Sequence, residues 1–195
     1  MRRGIDDPRV LDAMERVPRE DFVPVEHRAS AYSDGPVPLP FGQTVSQPFM
    51  VALTCQLLGL QGNERVLDVG TGSGYAAAVL AELAGEVHSV ERIPELAAGA
   101  RAALVRNGYE RVQVHVGDGS LGLPEVAPFA AIAVAAASAG VPEPLWEQLE
   151  EGGRIVLPVV LREPEQRLCL LQRTPGGPRL LASIPVRFVP LVTGS

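Results

Sequence analysis

Between residues 61 and 160 short apolar stretches alternate with alanine-rich helical ones, and this alternation constrains the fold more than any other feature of the chain. Arg65–Val69 reads as a short buried strand and Gly74–Leu83 as a helix. Val87–Val90 is a strand, and Pro94–Arg106 a helix that Asn107-Gly108 stops. Val112–Val116 and Phe129–Ala135 are strands, Pro142–Leu149 is a short helix, and Arg154–Val160 is a strand entered through Gly152-Gly153. Strands separated by helices cannot pair as hairpins, so the pattern predicts a parallel sheet with helices on both faces. The end differs. Arg167–Arg173 and Leu180–Phe188 are joined only by Thr174–Pro178, too short for a helix, so they pair antiparallel.

The first sixty residues look different. Asp7-Pro8 opens a helix carrying Val10, Leu11, Met14 and Val17 at helical spacing, and Pro18 ends it. Residues from Phe22 to Phe41 are rich in proline and small side chains and read as irregular. Ser46-Gln47-Pro48 starts a second helix, Phe49–Leu58, closed by Gly59. The 195 residues suit one domain in three parts: 1–60 helical and irregular, 61–160 the core, 161–195 the hairpin. Hydrophobic residues make up 46%, enough for a full core, while a net charge of -6 argues against a nucleic-acid partner. All 17 basic residues are arginine, which excludes any step that needs a lysine amine. Cys55 and Cys169 sit in apolar runs, as reduced cytosolic thiols do. No apolar run reaches membrane-spanning length and no signal sequence is visible, so a soluble cytoplasmic protein without membrane partners is expected.

The turn after the first core strand carries the chemistry. In Asp68-Val69-Gly70-Thr71-Gly72-Ser73-Gly74 the glycines allow a tight turn and let a ligand approach the main chain at the carboxyl end of a strand. The spacing is G-x-G-x-G, not the G-x-G-x-x-G of dinucleotide sites, and no P-loop motif is present. Asp68 before the glycines would repel a pyrophosphate but suits a ligand bearing an ammonium and a sulfonium. The second strand ends at Glu91-Arg92, roughly 20 residues on, where an acid accepts from ribose hydroxyls. The third ends at Gly117-Asp118-Gly119, where a carboxylate can accept from an adenine amino group and the glycines leave room for the ring. Asp68, Glu91 and Asp118 in order along one sheet edge select S-adenosylmethionine. The fold class is α/β, a Rossmann-like S-adenosylmethionine-dependent methyltransferase fold with a mostly parallel seven-stranded sheet and a C-terminal antiparallel hairpin.

Over nearly its whole length the chain resembles the protein-L-isoaspartate (D-aspartate) O-methyltransferases. The likeness rests on Arg16–Pro24, Ala31–Asp34, Gly42–Pro48, Leu67–Tyr75, Ser89–Arg92, Gly117–Gly119, Glu151–Val159 and Val186–Val192. The Gly42–Pro48 block and the Arg187–Leu191 ending are its most specific parts. The resemblance implies methyl transfer from S-adenosylmethionine to the free α-carboxyl of isoaspartyl residues in damaged proteins, with S-adenosylhomocysteine as product. It implies Ser46 as the active-site residue and Thr44, Val45 and Ser46 closing over the cofactor. Gln43 and Val189-Pro190-Leu191 are expected to line the substrate pocket, and a monomer is expected.

The chemistry fits what the strand ends lack. A carboxyl group with a pKa near ~4 is already ionised and needs no base. Ser46 reads best as a hydrogen-bond donor that orients that carboxylate, with the cap of the helix that Pro48 opens as a second reading that can hold alongside it. The three histidines, His27, His88 and His115, match no metal spacing, so no metal is expected. Four positions depart from the family pattern: Ala76, Ser120, Ala130 and Ala135. An acid is usual at the position of Ala130, and its loss predicts a missing loop anchor near the cofactor. These departures leave open a related enzyme acting on another carboxylate, or a cofactor-binding adaptor without turnover.

Overall fold

The computed structural model describes residues 4–162 and 164–194. Its first helix, α1 (Pro8–Arg16), begins where the sequence places it. The Asp7 carboxylate accepts from the Arg9 N–H at 2.9 Å, and Pro8 occupies the first turn. The stretch from Phe22 to Phe41 is more ordered than expected. It holds short 3-10 turns and a two-residue strand β1 (Val37–Pro38). β1 pairs antiparallel with β2 (Thr44–Val45), a local hairpin too brief to leave a period-2 signal. Helix α2 (Pro48–Leu58) follows and ends at Gly59 in the left-handed conformation.

The core elements are β3 (Arg65–Val69), α3 (Tyr75–Leu83), β4 (Glu86–Glu91), α4 (Pro94–Arg106), β5 (Gln113–Val116), β6 (Phe129–Val134), α5 (Glu143–Glu147), β7 (Leu149–Arg162), β8 (Glu165–Thr174) and β9 (Gly177–Val186). One seven-stranded sheet has the order β5-β4-β3-β6-β7-β8-β9. Its first five strands are parallel, and β8 and β9 join antiparallel. The expected mostly parallel sheet with a terminal hairpin is therefore observed. β7 starts five residues earlier than its apolar run, because Leu149 already pairs with Phe129 before the register shifts. Gly153 fits there because a side chain would press on the carbonyls of Glu150 and Ala130.

Alternate residues of the central strands face opposite cores. Val66 joins residues of α1 to α4 on one side, while Leu67 and Val69 join Ile132, Leu145 and Leu157 on the other. Burial on both faces is what a central parallel strand requires. Buried His88 and half-buried His115, whose Nδ1 and Nε2 lie 3.2 Å apart across β4 and β5, form a structural pair, and the two free buried cysteines are structural too. Among the described residues no helix is long and apolar enough to cross a membrane.

The passage from β3 into α3 carries the functional loop, and one residue pins it against α4. Gly74 has φ +90°, and a Cβ there would meet Leu104 and Ala100 at 3.3 to 3.4 Å. Gly74→Ala therefore combines strain with crowding. It is expected to lower unfolding stability by about 1–3 kcal/mol in urea titration.

Candidate active site

The carboxyl ends of β3, β4 and β6 open on one side, and the glycine loop folds across them. The Val90 carbonyl at the end of β4 accepts from the Gly70 and Thr71 N–H groups, at 2.9 and 3.3 Å. Glu91 holds the next turn. Its Oε2 accepts from the Gly72 N–H at 2.9 Å and its Oε1 from the Ile93 N–H at 3.0 Å. Each oxygen keeps a lone pair after these bonds, and Glu91 lies on a cavity wall although it is only 6% exposed.

Asp68 sits beneath the loop. It accepts from the Ser89 hydroxyl at 2.6 Å, and that hydroxyl lies 2.5 Å from Thr71 Oγ1. Asp68 is 1% exposed. Burial pushes its carboxyl up to about 7, with the Ser89 hydrogen bond opposing and the nearby Glu91 charge adding.

The cavity measures about 610 Å³, within the range of small-molecule sites. Its walls come from three parts of the chain. Gln43, Thr44, Val45 and Ser46 form one side. Gly70, Thr71, Gly72, Ser73, Glu91, Arg92 and Gly119 form the floor. Val189, Pro190 and Leu191 form the far side. The first and last of these segments, separated by more than a hundred residues of chain, meet because the tail after β9 turns back over the end of β6. The Ala137 N–H donates to the Val189 carbonyl and the Leu191 N–H to the Ala137 carbonyl, both at 2.7 Å.

Four expected residues lie off the wall: Asp68, Gly74, Gly117 and Asp118. Asp118 caps its own turn. Its Oδ1 accepts from the Ser120 N–H and hydroxyl at 2.9 and 2.6 Å, and its Oδ2 from the Gly194 N–H at 2.7 Å. Gly119 faces the cavity, and a Cβ on it would overlap Val69 Cγ1 at 2.5 Å.

Two expectations are corrected. Ser46 is not the cap of α2. Gln47 holds that position and no side chain caps the helix, because Pro48 takes the first turn and leaves Ser46 one residue outside. Ala130 is not near the site. It lies at the start of β6, whose other end meets the loop, so its missing acid cannot anchor anything there. Ala76 and Ala135 do line the cavity.

The sequence reading missed Pro36, Met50, Val51, Tyr75, Ala136 and Arg187 on the wall. Arg187 was within the recognised ending, but it stands just past the end of β9, where a lone arginine carries no signal of the direction it faces. Met50, Val51 and Tyr75 belong to helices whose pattern reports burial and not a cavity, and Pro36 and Ala136 lie in irregular connections that carry no period.

A Rossmann-like sheet finished by an antiparallel hairpin, with a nucleoside-sized cavity at its carboxyl edge and no phosphate-gripping loop, defines the class of S-adenosylmethionine-dependent methyltransferases. Within it, residues 1–195 match the family described as protein-L-isoaspartate(D-aspartate) O-methyltransferase. A protein-L-isoaspartate O-methyltransferase 2 of Marinobacter nauticus is 57% identical over 97% of this chain and 87% of its own length. A protein-L-isoaspartate O-methyltransferase of Roseiflexus castenholzii is 53% identical over 100% of this chain and 88% of its own. A solved protein-L-isoaspartate O-methyltransferase superposes with TM-score 0.86 at 31% identity over 98% of this chain, which spans 62% of that longer one. The Plasmodium falciparum relative, solved with S-adenosyl-L-homocysteine, gives TM-score 0.85 at 27% identity over 98% of this chain and 94% of its own. The chain belongs to the protein-L-isoaspartate (D-aspartate) O-methyltransferase family.

The Asp68 carboxyl yields a pH test. Its folded pKa, about 7, lies above its ordinary value of 3.8. The native state then binds more protons than the unfolded chain between those values. Wild-type stability falls as pH rises through that window and levels off above it. Asp68→Asn removes this dependence. The melting temperature of the ligand-free variant should gain steadily on wild type from about pH 5 to about pH 8. Parallel pH profiles would show that the carboxyl is not perturbed.

Proposed function

We propose that this enzyme uses S-adenosylmethionine to methylate the free α-carboxyl of L-isoaspartyl and D-aspartyl residues in damaged proteins, the opening step of their repair. The observation that carries this reading is the meeting of the Ser46 segment, the Val189–Leu191 tail and the glycine loop on one cavity. The same reading takes it to work in the cytoplasm as a monomer.

The residues present suit the cofactor. Glu91 lines the cavity and keeps acceptor capacity on each oxygen beyond the bonds it makes, so the carboxylate can accept from a ribose diol. The Gly70–Ser73 backbone forms the floor beside it. Asp68 and Asp118, off the wall, act by shaping the loop and the Gly117–Gly119 turn. Bound there, S-adenosylmethionine supplies a methyl group on a positively charged sulfonium. The chain itself binds, orients and excludes water.

The substrate carboxylate is the nucleophile and arrives ionised, so no side chain has to remove a proton. What the chain must do is hold the carboxylate in line and dry, because water stabilises the charges that disappear in the transition state. Ser46 suits the first task. Its hydroxyl makes no hydrogen bond among the described residues, and it stands on the wall. Gln43 and the Val189–Leu191 tail shape the pocket around the peptide. Arg92 and Arg187 outnumber Glu91 on the wall and favour an incoming anion.

Assays with an isoaspartyl peptide and its normal aspartyl twin test this directly. Wild type should methylate only the first. Ser46→Ala should lower kcat and kcat/KM for the peptide equally, by about tenfold or more, the signature of an interaction made in the transition state, while S-adenosylhomocysteine affinity stays unchanged. Equal methylation of both peptides would contradict the substrate, and unchanged turnover in Ser46→Ala would contradict the role of the serine.

A further inference from the structure

The Arg16–Pro24 segment marks the family likeness near the start of the chain, yet none of it lines the cavity. At its centre Arg19 is fully buried, with 0% exposure. Its Nε donates to the Ala31 carbonyl at 2.6 Å, and its Nη2 donates to the Ser46 carbonyl at 2.9 Å. Its guanidinium carbon lies 4.6 Å from the centre of the Tyr75 ring. Nη1 is buried without a hydrogen-bond partner, and no carboxylate pairs with the guanidinium among the described residues. The adjacent Glu20 carboxylate is taken by the Tyr32 hydroxyl, which also accepts from the Arg19 N–H at 3.2 Å.

Burying a guanidinium without a counter-charge is costly, and an apolar residue of similar volume would fill the space with less penalty. Two of the contacts that Arg19 makes, those to Ser46 and Tyr75, join parts of the site, while those to Ala31 and Tyr32 seat it within the N-terminal segment. Ser46 belongs to the wall assigned to the substrate. Tyr75 opens α3 directly after the glycine loop and lines the same cavity. One planar group therefore ties the Ser46 peptide to the helix that carries the cofactor loop. Lysine cannot do this, because a single ammonium lacks the flat face and the two-directional fork.

We propose that Arg19 is a positioning residue that fixes the Ser46 peptide against the first turn of α3 and so sets the Ser46 hydroxyl for methyl transfer. This rests on the reading of Ser46 given above. Arg19 touches neither substrate nor cofactor. Its effect passes through the Ser46 carbonyl, which it anchors two residues before α2.

The test is a double-mutant cycle of R19K and S46A, with turnover measured on an isoaspartyl peptide at saturating S-adenosylmethionine. S-adenosylhomocysteine affinity is measured by calorimetry alongside. R19K should lower kcat about tenfold, because small misplacements of a positioning group are costly. Its S-adenosylhomocysteine affinity should stay within about twofold of wild type. The double variant should be no slower than S46A alone. Losses that multiply, full activity in R19K, or a weakening of cofactor affinity that matches the loss in kcat would each overturn the proposal. S46A without effect would overturn the serine reading together with this one. An effect of S46A that multiplies with that of R19K would overturn this one only. Should R19K fail to fold, Y75L removes the aromatic seat and leaves the fork intact. The same non-additivity with S46A is then expected, and multiplying losses overturn the proposal.

Discussion

The site depends on the Glu91 carboxylate more than on any other single group. It stands at the end of β4 and holds the Gly72 and Ile93 N–H groups, one on each oxygen. The first bond fixes the glycine loop above β3, and the second fixes the turn into α4. Because a carboxylate only accepts, it can hold both and still present acceptors to the cavity. Asp68 acts on the same loop from below through Ser89 and Thr71. The loop is thus held from two sides by the chain's own hydrogen bonds, which reduces the ordering that binding must impose.

Around this loop the chain brings two distant segments. The Gly42–Gln47 stretch arrives ahead of α2, and the Arg187–Val192 tail arrives after the last strand. Neither is part of the Rossmann-like core. The tail is held by its main-chain bonds to Ala137, and the Ser46 peptide by Arg19. This division fits a reaction with no proton to move. The core supplies a nucleoside site that many chemistries could share, and the added segments supply shape and one hydroxyl for a particular carboxylate. The substrate is chosen by what covers the site.

Much of this was legible in the residues. β3 and α4 have the bounds that their apolar runs, Pro94 and Asn107 dictate. The hairpin followed from a linker too short for a helix. Glu91 was found by its distance from the glycines. The parts that were not legible share a physical cause. β1 and β2 are two residues long, so alternation has nothing to repeat. The start of β7 depends on pairing with Phe129, a contact between distant parts of the chain. Asp68 and Asp118 sit at the right strand ends, but whether a side chain points into a cavity or under a loop depends on local hydrogen bonds. Ser46 carried two readings because a serine before Gln-Pro suits a cap, and only the position of Gln47 removes that one.

Calorimetric titration of S-adenosylhomocysteine into Glu91→Gln tests the central claim most directly. An amide has one acceptor oxygen, so the variant cannot hold both N–H groups and still accept from a ribose diol. The account predicts a loss of affinity of about tenfold or more, as expected for hydrogen bonds to a charged group, with the global melting transition largely preserved. Affinity equal to wild type would contradict it.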